Sequence, residues 1–285
     1  MRVLELFSGL GGWRCALQAQ GRVVAAYDVS EAANETYALN HGEQPKAREL
    51  ATVPLAELVA QGADTWVMSP PCQPFCRMGN HQGLEDRRSR AFRYLMDLFH
   101  QAPPEHLVLE NVPGFLGSDA HALLSERIRA HGMHQLDLQA CPSRFGLPNQ
   151  RNRVFIVASR KPLEARPVPE LPPRPLSDFL DAEENLDLYL RPETLARHHY
   201  GMDFVTPEDR RSTCFIGGYG QRYVGSGSFL KIERGVRRFS PSEVARLLGL
   251  PGGFRFPEAL SMEVRYRLLG NGLSIPVAAW ALDHL

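Results

Sequence analysis

Cys72 stands in the run Ser69-Pro-Pro-Cys-Gln-Pro-Phe75, with prolines on both sides. Proline fixes φ and removes a backbone donor, so this thiol sits on a stiff loop rather than inside a helix or central strand. A cysteine is more often a small buried hydrophobe than a nucleophile. Between Pro70-Pro71 and Gln73-Pro74, however, a packing role is hard to motivate. As a thiolate it is a strong nucleophile, given a cationic or dipolar setting that ionises it. A carboxylate, Glu110, closes the apolar run of Leu107-Val-Leu-Glu-Asn-Val112. Burial there would raise its pKa and let it donate a proton near neutral pH; the plainer alternative is a carboxylate satisfied by nearby backbone amides. Arg151 and Arg153, in Gln150-Arg-Asn-Arg-Val-Phe155, fall on one side of a strand at period two. They offer positive charge to a reacting group, or else mark an ordinary solvated strand start.

A second set of residues could hold a nucleotide. Phe7-Ser-Gly-Leu-Gly-Gly12 follows an apolar run and precedes a helical pattern. Glycines at such a turn bring backbone N–H groups up to a ligand at a helix N-terminus, though a tight turn alone also calls for them. Asp28 ends the next apolar run, where a carboxylate accepts hydrogen bonds from a ribose. With Glu31 it also reads as a helix capping pair. An adenosine-containing cofactor fits, and these residues do not separate NAD from S-adenosylmethionine. No metal is expected. Cys76 follows Cys72 by four residues, but no histidine lies at a ligand spacing from them.

The elements that position these groups alternate. Strands are expected at 3–7, 23–27, 65–68, 106–109, 135–139 and 154–158, and helices at 30–40, 90–101 and 120–131. Such alternation predicts an α/β fold, a doubly wound and mostly parallel sheet. Six prolines between 162 and 175 then impose an extended connector. An irregular insert of roughly 75 residues follows, with Gly217-Gly-Tyr-Gly220 and Gly225-Ser-Gly-Ser228. Helical pattern resumes at Ser240, an N-cap followed by Pro241 and completed as a capping box by Glu243. A last amphipathic stretch covers 275–285. The expected division is 1–160 for the catalytic domain, 161–238 for the insert, and 239–285 for helices completing the catalytic domain.

With 44% apolar residues, a sizeable core is available to the 285-residue chain. The 32 basic and 32 acidic residues exclude a highly charged disordered tail or a histone-like wrapper. No run is long enough to span a membrane, and the N-terminus reads as a strand rather than a signal peptide. Five scattered cysteines without paired CxxC spacing predict neither zinc nor a disulfide framework, and a cytoplasmic setting.

Taken in order, Phe7–Gly12, Pro70-Pro-Cys-Gln-Pro-Phe75, Glu110-Asn-Val112, Gln150-Arg-Asn-Arg153 and Leu269-Gly-Asn271 resemble the cytosine-C5 methyltransferase family. The resemblance covers essentially the whole chain. It implies a Rossmann-like S-adenosylmethionine-dependent fold with a target-recognition insert. Cofactor contacts are carried onto Phe7, Ser8, Gly9, Leu10, Gly11, Gly12, Asp28, Val29, Leu50 and Asn271. Cys72 becomes the covalent nucleophile, with Glu110, Arg151 and Arg153 around it. The insert carries Cys214-Phe-Ile-Gly-Gly-Tyr-Gly220, similar to the Cys-Phe-Thr signature of the transfer-RNA branch, whose members methylate cytosine 38 of aspartate tRNA. Ile216, Cys76, Gly272 and Pro113 depart from that branch's usual residues. Pro113 is shared with DNA-modifying relatives, so DNA stands as the alternative substrate, and a catalytically silent nucleic-acid-binding module as a third reading. The expected partner is a tRNA anticodon stem-loop, met by a monomer. Arg87, Arg88, Arg90 and Arg93, and Arg234, Arg237 and Arg238, read as phosphate contacts or as solvated helix faces.

Overall fold

The computed structural model describes residues 1–73 and 83–285. Contacts divide the chain into two compact units. The first, Met1–Ala140, Asn152–Val168 and Ala278–Leu285, holds β1 (Arg2–Leu6), α1 (Gly12–Leu17), β2 (Arg22–Tyr27), α2 (Glu31–His41), α3 (Leu55–Val59), β3 (Thr65–Met68), α4 (Arg90–Gln101), β4 (His106–Asn111), α5 (Asp119–Ala130), β5 (His134–Ala140) and β6 (Arg153–Ser159). All six expected strands of this unit are present, with ends displaced by no more than two residues.

The strands form one sheet in the order β2-β1-β3-β4-β6-β5. Pairings from β2 through β4 are parallel, and β6 runs antiparallel to both β4 and β5. Every residue of β3 is buried, as strands inside a covered parallel sheet must be. Leu4, Leu6, Met68, Leu107, Leu109, Val154 and Ile156 share one core cluster with α4 and α5. Helix α4 shows why: Phe92, Leu95, Met96 and Phe99 recur at helical spacing and are buried, while Arg90, Arg93, Asp97 and His100 face solvent.

The second unit, Cys141–Arg151 and Pro169–Val277, holds α6 (Pro192–His198), a sheet of β7 (Asp203–Val205), β8 (Ser228–Ile232) and β9 (Gly235–Arg238), then α7 (Pro241–Leu247) and α8 (Met262–Gly270). Helix α9 (Ile275–Leu282) begins here and ends in the first unit. The insert is therefore less irregular than its glycines and prolines suggest. Tyr219 ties it together from a fully buried position: its hydroxyl donates to Ser228 O at 2.7 Å and accepts from Phe239 N at 3.0 Å. The capping box of α7 forms as expected, with Ser240 and Glu243 bonded reciprocally. In this unit α7 and α8 group with the insert. Among the described residues no helix is long and apolar enough to cross a membrane.

Candidate active site

The chain leaves β1 for β2 on one side and later returns to place β3 on the other. Strand order thus reverses between β1 and β3, and the loops leaving their carboxyl ends open a crevice there. The loop after β1 turns through three left-handed residues, Phe7 (φ 55°), Gly9 (φ 51°) and Gly11 (φ 78°). A Cβ on Gly11 would lie 2.3 Å from His41 Nε2, so no side chain fits at that position. Asp28 fastens the loop: one carboxylate oxygen accepts Gly9 N–H at 2.8 Å, the other Ser30 N–H at 2.9 Å. The cap of α2 is Ser30, whose hydroxyl accepts Ala33 N–H, so Asp28 is not half of a capping pair with Glu31.

A cavity of about 880 Å³ opens beside this loop, lined by Phe7, Asp28, Val29, Leu50 and Pro71 among others. Each Asp28 oxygen keeps a lone pair for a further donor such as a ribose hydroxyl. Val29 is 64% exposed, an apolar flank for a base, and Leu50 is buried at 3%. Ser8 Oγ is buried without a hydrogen-bond partner among the described residues and is left to meet a ligand. These features fit an adenosine-type cofactor with a polar tail. Leu10 and Gly12 are buried in the loop itself, and Asn271 belongs to the second unit.

The loop after β3 carries Cys72, half-buried. Parallel register pairs Met68 with Leu109, so Ser69-Pro70 leaves the sheet beside Glu110-Asn111. Two bonds pin its start. Trp13 Nε1 donates to Ser69 Oγ at 3.1 Å, and Asn111 Nδ2 donates to Pro70 O at 3.1 Å. Pro74, Phe75 and Cys76 lie outside the described residues. Glu110, 7% exposed, has more than burial acting on it: Arg153 Nε lies 3.0 Å from its Oε1. The pairing follows from register, since β4 runs antiparallel to β6 and Arg153 opens β6 beyond the Asn111–Val154 pair. Cys72, Glu110 and Arg153 therefore all emerge at one end of the same sheet.

Arg151 departs from expectation. It does not share a strand face with Arg153, because β6 begins only at Arg153 and Arg151 lies in the second unit. There it is 3% exposed, and its guanidinium donates to Gly270 O at 2.9 Å, Gly272 O at 2.8 Å and Phe215 O at 3.2 Å, with Cys214 Sγ at 3.2 Å. It clamps the backbone on both sides of Asn271. Gly270 is glycine for a plain reason: a Cβ there would lie 2.1 Å from Gly217 N.

A model of the family described as C-5 cytosine-specific DNA methylase matches residues 1–193 and 201–284. The chain belongs to that family. It is 30% identical to the tRNA (cytosine(38)-C(5))-methyltransferase of Homo sapiens, over 98% of this chain and 97% of that protein. Its fold matches the crystal structure of the Dnmt2 methyltransferase of S. pombe with a TM-score of 0.88 at 29% identity, covering 99% of this chain and 97% of the other. The Entamoeba histolytica methyltransferase EhMeth has the same fold, with a TM-score of 0.94 at 24% identity over 100% and 97% of the two chains.

In this C5 methylase three supporting residues escaped sequence reasoning. Asn111 and Trp13 act through their bonds to the cysteine loop. Glu5, fully buried in β1, accepts Trp13 N–H at 3.2 Å and Tyr37 OH at 3.0 Å, behind the glycine loop. Burial raises its pKa to about 7 despite those bonds. A single charged residue inside Val3-Leu4-Glu5-Leu6 was the available signal. Two basic residues read as phosphate contacts are instead spoken for: Arg237 is buried in a two-pronged pair with Glu243, and Arg234 pairs with Glu184.

Proposed function

We propose that this methylase transfers a methyl group from S-adenosylmethionine to carbon 5 of a cytosine in a tRNA anticodon loop, cytosine 38 of the aspartate species, through a covalent Cys72 adduct. The observation that supports it most is the Glu110–Arg153 pair at 3.0 Å beside a cysteine loop anchored by Asn111. Carbon 5 of cytosine is too poor a nucleophile to act unaided. The Cys72 thiolate adds to carbon 6, and the electron pair moves to carbon 5 while charge builds at N3 and O2. Glu110 relieves that charge by giving a proton to N3, and Arg153 by hydrogen bonding at O2. The cofactor supplies an electrophilic methyl on a sulfonium. After transfer, loss of the carbon-5 proton expels Cys72 and restores the aromatic ring.

Phe7–Gly12, Asp28, Val29 and Leu50 hold the cofactor in this reading, with the Asp28 carboxylate on the ribose and Ser8 Oγ on its polar tail. The roles of Arg151 and Asn271 rest on the family resemblance. RNA is favoured by the name of the human relative and by energetics, since a loop base is already unpaired and costs less to extrude than one in a duplex. The enzyme works as a cytoplasmic monomer on this account. Labelled methyl from S-adenosylmethionine is expected to enter purified tRNA and not duplex DNA, and Cys72→Ala to abolish transfer. Activity surviving that substitution ends the covalent mechanism, and label confined to DNA selects the other substrate.

A further inference from the structure

Arg87, Arg90 and Arg93 line the same cavity as Phe7, Asp28 and Pro71, and all three are exposed. They recur every third residue, from the 3-10 turn Arg87–Ser89 into the first turn of α4. That spacing offsets successive Cα atoms by about 4.5–6 Å along the axis and keeps the three side chains on neighbouring parts of one face. Like charges so placed repel one another, and cations at a helix N-terminus oppose its dipole. The first turn of α4 contains no acidic residue, and Ser89 makes no side-chain cap bond. Among the described residues none of the three arginines has a carboxylate within ion-pair distance. Neighbouring cations differ: Arg88 is held by Asp86 and Arg48 by Glu57. The cavity's acids are largely engaged too, Asp28 by backbone N–H groups, Glu49 by Ala51 N–H and Asp86 by Arg88, which leaves Glu85. Exposed guanidiniums with no ion-pair partner among the described residues, on a chain of zero formal charge, suit a ligand that carries several anions.

We propose that Arg87, Arg90 and Arg93 form a phosphate-binding edge for the backbone of the RNA strand brought to Cys72. The inference rests on the RNA reading above and adds to it which cations carry the backbone contacts. Each phosphate neutralised on a single strand contributes about 0.7 to the slope of log affinity against log salt. Three contacts therefore account for about 2 of that slope.

The experiment is fluorescence anisotropy of labelled tRNA between 50 and 200 mM KCl. It compares wild type, the triple variant Arg87→Gln, Arg90→Gln, Arg93→Gln, and the control Arg160→Gln. Arg160 follows β6 at the far end of the sheet, where Ser159 pairs with His106. The triple variant is expected to lose about 2 from the slope, with unchanged S-adenosylmethionine affinity, and the control to lose nothing. If the triple variant does not fold, each single variant is expected to lose about 0.7. A wild type that methylates tRNA alongside a triple variant of full slope overturns the arginine edge alone. A variant whose slope is intact but whose cofactor affinity has dropped tenfold assigns the arginines to the cofactor and also overturns it. A wild type with neither tRNA methylation nor a salt slope removes the RNA reading and this inference together.

Discussion

Glu110 and Arg153 lie in contact, each nearly out of solvent, at 9% and 14% side-chain exposure. Neither can be treated alone, since the Arg153 guanidinium stripped of its partner in such a place is strongly penalised. In the proposed mechanism a base reaching this pair offers N3 to the carboxyl group and O2 to the guanidinium. Glu110→Gln keeps the size and a hydrogen bond to Arg153 but removes the transferable proton. Single-turnover methylation by this variant is expected to slow by 10²–10⁴-fold with tRNA affinity changed less than threefold. A rate within fivefold of wild type would show that the proton comes from elsewhere.

Among the elements, the start of the β3 loop is set by its neighbours and not only by its prolines. Trp13, just past the glycine loop, holds Ser69, while Asn111 at the end of β4 holds Pro70. The glycine loop and the cysteine loop are thereby joined through Trp13, and β4 and the cysteine loop through Asn111. Asn111 is 1% exposed, so truncating it leaves the Pro70 carbonyl without that donor at a cost of about 1–3 kcal/mol. Asn111→Ala is expected to lower thermal stability by this amount and to reduce the methylation rate at least tenfold. Calorimetric titration of S-adenosylmethionine is expected to show unaltered affinity. Loss of cofactor binding in step with activity would place Asn111 in general folding instead.

At the scale of the whole molecule, Glu5 links stability to pH. Its native pKa of about 7 lies above the usual 4.5, so between those values the folded protein keeps a proton that the unfolded chain has released. The stability it contributes is full at the acid end and is lost as pH rises towards 7, by about 3 kcal/mol in all. Glu5→Gln removes that dependence while its amide oxygen still accepts from Trp13. The variant's melting temperature minus that of wild type is expected to grow steadily from pH 5 to pH 7.5. A constant difference over that range would mean that Glu5 does not titrate there.

Much of this was legible from local chemistry. Apolar runs of four to six residues alternating with amphipathic stretches located the six strands and helices α2, α4 and α5, because a covered parallel sheet tolerates little else. The proline-flanked Cys72, the terminal carboxylate of Glu110 and the Ser240–Glu243 cap are likewise short-range patterns. Arg151 was misread because period-two alternation assumes that the strand has already begun, whereas the chain passes from one unit to the other between Arg151 and Asn152. The three-stranded sheet of the insert was missed because its strands of three to five residues are held by long-range ties such as the Tyr219 hydroxyl.

Residue types and their spacing located the loop that carries the thiol and the glycine turn, and the family resemblance of those short motifs pointed to the class of chemistry, since each motif is encoded within a few neighbouring positions. Only tertiary structure decided that Arg153 meets Glu110, that Arg151 grips the backbone around Asn271, and that three arginines of α4 and its approach face the cavity of Asp28. Those outcomes depend on strand order and register, which bring together groups forty or more residues apart, and no local pattern in a single sequence carries that information.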